Sequence, residues 1–388
     1  MLIWRSVASN ALTLFVVILI GLGVAVAMAQ REWRSPGPLA EAVCLSVPRG
    51  ATIQTVSEDL VAKGAVRSGM LLRIGAEYTD RAGKLKAGNF LIPPRASPDD
   101  IVGLVTSGGQ STCGSDINLR IGVADAAVQM RELDPASGEF TVVAEYPVAD
   151  PAPAEVQTVL DAGFARTRVT VAEGVTSWRI ADSLQKASFL GGDVAEVPDE
   201  GTLAPGSYEV TIGGDRDALL SQMAARQQEI LTAAWAGRAN GLPLKNAYEA
   251  LILASIVEKE TRIADERPVV ASVFENRLNE GMRLQTDPTV IYGLTDGKGV
   301  LGRGLYRSEL ARPTPYNTYV IQGLPPTPIA NPGQDSIEAV VRPADTEFLF
   351  FVADGTGGHV FSKTLAEHNQ NVQKWRRIEQ QQGTQQNQ

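Results

Sequence analysis

Ala247-Tyr248-Glu249-Ala250-Leu251-Ile252-Leu253-Ala254-Ser255-Ile256-Val257-Glu258-Lys259-Glu260-Thr261 is the stretch on which the reading of this chain turns. Wound at roughly 100° per residue, it places Ile252, Leu253, Ile256 and Val257 on one face of a helix, with Glu260 near the middle of that face. Glu258 points to nearly the opposite side, where an exposed i,i+4 pair with Arg262 would occupy it. A carboxyl group on an apolar stripe loses hydration, which disfavours its charged form and raises its pKa. An acid that keeps its proton near neutral pH can pass it to a leaving sugar oxygen. The bland alternative is a buried ion pair between Glu260 and Arg262, Arg267 or Arg277.

Downstream, a second helix is predicted from near Asp265, with Pro268 in its first turn, to Gly281. Gly281 to Gly293 is dense in polar and aromatic residues, and Asp287-Pro288 marks a turn. Thr314-Pro315-Tyr316-Asn317-Thr318-Tyr319 and Gly323-Leu324-Pro325-Pro326 follow. Loops bearing Gln285, Asp287, Tyr316, Asn317 and Thr318 suit a sugar-binding cleft, where amides bond hydroxyls and rings stack on sugar faces. The same residue types serve equally in loop packing and capping. Phe348 to Val352 reads as a buried strand, and the glycines between it and His359 as a hairpin turn.

Upstream, Ala11 to Ala29 is an uncharged run, and roughly 20 apolar residues cross a bilayer as a helix. Ten residues precede it and more than 350 follow, so a short inside head and an exported bulk are expected, with residues 1–30 as cytoplasmic tip and anchor. A signal peptide cleaved after Ala27-Met28-Ala29 and a buried core helix are the alternatives. Arg34-Ser35-Pro36-Gly37-Pro38 makes residues 31–40 a stiff linker. A small α/β module is expected at 41–109. Its strands are Val43–Val47 and Phe90–Ile92, its helices Thr52–Lys63 and Met70–Tyr78, and a third helix starts at Ser97-Pro98-Asp99-Asp100. Part of this pattern recurs. Val47-Pro48-Arg49-Gly50-Ala51-Thr52 aligns with Val171-Ala172-Glu173-Gly174-Val175-Thr176, and Leu85 to Phe90 with Leu203 to Tyr208. Residues 110–165, opened by Gly108-Gly109, read as an insertion or linker with a hairpin around Phe140 to Tyr146. A larger domain fills 166–379, and the Gln-rich stretch 380–388 is expected to be disordered. Cys44 and Cys113 flank the small module and either pair or remain two buried thiols.

A net charge of −9 and a pI near 5.0 argue against nucleic acid as the partner. With two histidines and two cysteines, the chain has no cluster at metal-ligand spacing. Walker and dinucleotide fingerprints are missing too, so neither metal nor cofactor is expected.

Several stretches together resemble the endolytic murein transglycosylase (MltG/YceG-like) family. They are Ala254 to Thr261, Ala271 to Leu278, Met282 to Gly293, Tyr316-Asn317-Thr318-Tyr319, Gly323-Leu324-Pro325-Pro326, Phe351-Val352-Ala353-Asp354-Gly355, Gly358-His359-Val360-Phe361 and His368-Asn369, in family order across about residues 235–370. The resemblance implies an α+β chain: a transmembrane helix, a LysM-like module at 41–109, and a mixed α/β catalytic domain at 166–379. It implies non-hydrolytic cleavage between N-acetylmuramic acid and N-acetylglucosamine within glycan strands, leaving 1,6-anhydromuramyl ends and terminating nascent strands. The second Glu of Glu258-Lys259-Glu260 would be the catalytic one. Gln285, Asp287, Tyr316, Asn317, Thr318 and His359 would bind substrate. The partners implied are peptidoglycan strands, the inner membrane carrying a periplasmic catalytic domain, and peptidoglycan synthases. Gly201 to Tyr208 lacks the bulkier aromatic residues usual in the family, and 110–165 is longer than expected. A non-catalytic anchored scaffold that binds wall glycan is the competing reading. A cytoplasmic pyridoxal-phosphate lyase is disfavoured by the export segment.

Overall fold

The computed structural model describes residues 2–107 and 111–385. Helix α1 (Leu2–Arg34) exposes its apolar side chains from Leu12 to Met28, and it is the one helix among the described residues long and apolar enough to cross a membrane. Its last turn behaves differently. Trp33 is buried, and Leu39 beyond the helix is buried in the same core. Gly37 N–H donates to Arg95 O (3.1 Å) and Arg95 N–H to Leu39 O (2.9 Å). The segment expected to be a bare linker is therefore packed, because its two large apolar residues gain more from burial than from water.

The chain divides into two compact units. One comprises Met1–Ile117, Gln129–Glu145 and Pro153–Thr167, and the other Asn118–Val128, Tyr146–Ala152 and Arg168–Gln388. In the first, β1 (Val43–Val47) is followed by α2 (Ile53–Ala62), α3 (Gly69–Tyr78), β2 (Gly88–Ile92) and α4 (Pro98–Thr106). Thr52 and Ser97 cap α2 and α4 through reciprocal bonds with Thr55 and Asp100, as their positions predict. Strands β1 and β2 run antiparallel, Val43 opposite Ile92 and Val47 opposite Gly88. Leu45, Leu60, Leu72, Ile92 and Ile101 fill the core. Trp33 lies against Gly75 of α3, where a Cβ would collide with the indole ring. A disulfide joins Cys44 and Cys113 across a Cα–Cα distance of 5.7 Å.

The stretch expected as an insertion or linker forms regular structure: β3 (Ser115–Ile121), β4 (Ala126–Leu133), β5 (Phe140–Pro147) and α5 (Ala154–Ala162). With β6 (Arg166–Val171) and β7 (Gly206–Val210) these strands give a five-stranded sheet of order β5-β4-β3-β6-β7. Phe140 to Tyr146 is thus one arm of a hairpin, paired with β4 across a turn at residues 134–139. Gly108-Gly109, read as the start of this stretch, lies outside the described residues.

In the second unit the recurring sequence pattern is a recurring backbone. Gly174 (φ +74°) precedes Thr176, which caps α6 (Ser177–Lys186), as Gly50 (φ +80°) precedes Thr52 before α2. Helices α7 (Arg216–Ala236), α8 (Ala247–Glu260), α9 (Arg267–Asn279), α10 (Asp287–Thr295), α11 (Arg307–Leu310) and α12 (Gln334–Val341) follow. Asn246 caps α8, and every residue from Ala250 to Val257 is buried between α7, α9 and α12. The hairpin β8 (Phe350–Ala353) and β9 (His359–Ser362) turns through Gly355 and Gly357, both at positive φ. Strand β8 starts two residues later than expected and is half-buried. Helix α13 (Leu365–Gln385) continues through 380–385, which were expected to be disordered; residues 386–388 lie outside the described residues.

Candidate active site

Glu258, Lys259 and Glu260 form the last turn of α8, and all three line one cleft of about 840 Å³. From Ala250 to Val257 the helix is buried on every side, and Glu258, Lys259 and Glu260 are all partly exposed where it ends, so the expected contrast of faces between Glu258 and Glu260 does not exist. Thr261 leaves the helix at φ −137°, ψ 138°, taking Arg262 off the i,i+4 position. Glu258 instead accepts from Gly333 N–H (3.0 Å) and Ser336 Oγ (2.7 Å). It satisfies the start of α12, where the N-cap residue Gly333 has no side chain to do so. Lys259 Nζ donates to Gly174 O at 3.1 Å.

Glu260 accepts a hydrogen bond at Oε1 from the Thr286 hydroxyl. Burial pushes its pKa up. The Thr286 bond opposes that shift, the negative charge of Asp287 adds to it, and His359 and Arg277 pull it down. Its place at a helix C-terminus also disfavours the carboxylate. None of the three expected arginines forms an ion pair with Glu260 among the described residues. Arg267 pairs with Asp335 (3.2 Å) and Glu173 (3.3 Å). Arg277 donates to the carbonyls of Leu349 (2.7 Å) and Leu284. Arg262 lines the cleft. Glu260 is therefore desolvated, opens onto a cleft and has no ion-pair partner among the described residues.

His359 lines the same cleft, its Nδ1 held by Glu266 Oε2 at 2.8 Å and its backbone N–H by Glu266 Oε1 at 2.8 Å. It is the one expected binding residue on the wall beside Glu260 among the described residues. Gln285 has an exposed side chain and a left-handed backbone (φ +51°). Asp287 sits in the first turn of α10 and accepts from Tyr319 Oη at 2.7 Å. The Tyr316 hydroxyl meets Thr327 Oγ1 at 2.8 Å and its ring lies 4.9 Å from Tyr292.

Asn317 and Thr318 do not line this cleft. Both are fully buried. Asn317 Nδ2 donates to the carbonyls of Glu309 (3.1 Å), Leu310 (3.1 Å) and Arg312 (2.7 Å), and its Oδ1 accepts from Tyr319 N–H (3.0 Å). Its amide clamps the loop from within the core. Thr318 Oγ1 accepts from Thr286 N–H (3.0 Å) and meets Thr289 Oγ1 (2.8 Å). It holds Thr286 in position.

Thr286, Glu173 and Asp125 went unread in the sequence. Thr286 carried a signal, as the residue before Asp287-Pro288 at a helix start. Glu173 lies beside Gly174, whose positive φ turns the chain toward the cleft; burial, then the neighbouring Glu258 charge, raises the Glu173 pKa against the pull of Arg267.

Residues 136–374 match the YceG-like family. A protein of Bacillus subtilis (strain 168) named endolytic murein transglycosylase is 45% identical over 130 residues, 34% of this chain and 35% of that protein. A protein of the same name from Streptococcus pneumoniae serotype 2 is 26% identical over 354 residues, 85% of this chain and 58% of that protein. The crystal structure of a yceG-like protein from Listeria monocytogenes aligns at 25% identity with a TM-score of 0.45, covering 85% of this chain and 98% of the other. The chain thus spans about a third and just over half of the two named relatives.

Proposed function

Because this chain belongs to the YceG-like family, we propose that it is a membrane-anchored endolytic peptidoglycan transglycosylase in which Glu260 is both acid and base. The observation that carries this reading is the desolvated Glu260 carboxyl group, raised in pKa and facing an 840 Å³ cleft. Glycosidases ordinarily divide the work between two carboxyl groups. Other acids line this cleft, but Glu258 caps α12 and Glu173 is paired with Arg267, while Asp125 is exposed. One carboxyl group suffices if the sugar supplies the nucleophile. Protonated Glu260 gives its proton to the oxygen between N-acetylmuramic acid and N-acetylglucosamine, and that bond breaks. The carboxylate formed then takes the proton from the C6 hydroxyl as that oxygen closes onto C1. The product is a 1,6-anhydromuramyl end, and Glu260 is protonated again.

The small disulfide-linked module at 41–109 serves in this reading as a LysM-like glycan-holding domain, and 166–379 as the core of the catalytic domain. Helix α1 is a single-pass inner-membrane anchor that keeps the remainder in the periplasm, beside peptidoglycan synthases whose nascent strands it terminates. A non-catalytic wall-binding scaffold is the second reading. It gives no reason for a desolvated acid facing a cleft without an ion-pair partner among the described residues. Full-length protein in detergent incubated with purified sacculi should release anhydromuropeptides detectable by mass spectrometry; binding without release would favour the scaffold.

A further inference from the structure

A second cavity, of about 320 Å³, shares Val123, Gly174 and Lys259 with the cleft of Glu260. Its charge differs from its neighbour's. The cleft is mixed, lined by Asp125, Glu173, Glu258 and Glu260 together with Lys259, Arg262 and Arg267, whereas the second cavity is lined by Arg179, Lys259 and Arg303 and by no acidic residue. Arg303 is already held by Glu309 at 2.6 Å, which leaves Arg179 and Lys259. Arg179 stands in the first turn of α6, at the positive end of the helix dipole, and forms no ion pair among the described residues. A cation there costs stability unless an anion visits it. Lys259 is largely withdrawn from water, with the Gly174 carbonyl as its hydrogen-bond acceptor; burial depresses its pKa. Two cations facing a concave, largely apolar wall make a receptor for a carboxylate attached to a larger body.

Resting on the transglycosylase reading, we infer that this cavity is the subsite for the stem peptide of the bound muramic acid, with Arg179 and Lys259 receiving its carboxylates. Lys259 directly precedes Glu260, so a stem seated there fixes the sugar carrying it beside the acid. The enzyme then prefers strands with their peptides in place over strands from which an amidase has removed them. Stripped strands still carry a carboxylate, on the lactyl ether of the sugar itself, so comparing the two substrates separates the two sources of charge.

The test measures kcat and KM of full-length protein in detergent on intact and on amidase-stripped strands, for the native chain, Arg179→Gln and Arg179→Lys. The expected result is a native preference for intact strands. Arg179→Gln should reduce that preference about tenfold, mainly through KM on intact strands, as loss of a charge-assisted hydrogen bond implies. Arg179→Lys, which keeps the charge, should recover most of it. Equal losses on both substrates, or no loss, would overturn the stem subsite while leaving the transglycosylase reading intact. A native protein that cleaves neither substrate would overturn both.

Discussion

The hydroxyl of Thr286 donates to Oε1 of Glu260, although Thr286 occupies the N-cap position of α10. A threonine there ordinarily turns its oxygen back to the helix. This one makes no side-chain cap, so its hydroxyl is committed to the carboxyl group, and Thr318 fixes its backbone. The bond favours ionised Glu260 and opposes the rise caused by burial. Thr286→Val removes it at nearly constant shape and should raise the Glu260 pKa further. The alkaline limb of the pH profile of kcat/KM, which reports loss of the acid's proton, should move to higher pH. A limb that stays in place or moves down would show that the bond does not govern the proton.

Glu260→Gln keeps size and hydrogen bonding but has no proton to give. It should lower kcat by at least ~10²-fold with folding unchanged. Glu258→Gln should do the reverse. It weakens the cap on α12 built from Gly333 N–H and Ser336 Oγ, lowering stability by about 1 kcal/mol with a much smaller loss of rate. Thermal melts and turnover on sacculi distinguish the two. Equal losses of rate in both variants would mean that Glu258 shares the chemistry.

Glu275 lies buried on α9, its Oε1 lacks a hydrogen-bond partner among the described residues, and desolvation pushes its pKa up to about 8. The unfolded chain releases that proton near a pKa of about 4.3. Between those values the folded state holds a proton that the unfolded state has lost. The stabilising contribution is complete below the lower value, falls as pH rises through the interval, and is gone above the upper one. Glu275→Gln should therefore flatten the fall in Tm between pH 5 and pH 9 by roughly 3 °C or more. Parallel curves for the two proteins would place the pH dependence elsewhere.

Local grammar carried much of the fold. Thr52 and Ser97 cap helices where short-range pattern says they should, and the two Gly-x-Thr turns before α2 and α6 share one backbone because φ > 0 and capping are local demands. Tertiary surroundings decided the rest. Asn317 has the side chain of a sugar ligand, and only its burial shows that three carbonyls consume its amide. Glu258 finds its partners 75 and 78 residues away, beyond reach of helical phasing. No glycine or proline at Thr261-Arg262 announced the end of α8. The sheet order within 110–165 was hidden for a related reason, although a hairpin there was legible. That order places β3 beside β6 and not beside β5, a pairing that spacing along the chain does not reveal.

The central claim is that Glu260 works without a second catalytic carboxyl group because the C6 hydroxyl of the sugar is the nucleophile. Digesting peptidoglycan with the full-length protein in ¹⁸O-water and weighing the new strand ends by mass spectrometry tests this directly. The account predicts 1,6-anhydromuramyl ends containing no solvent oxygen, and their loss in Glu260→Gln. Reducing muramic acid ends carrying ¹⁸O as the main product would contradict it, and would assign the chain a hydrolytic reaction in which another acid of the site, such as Asp125, Glu173 or Asp287, activates water.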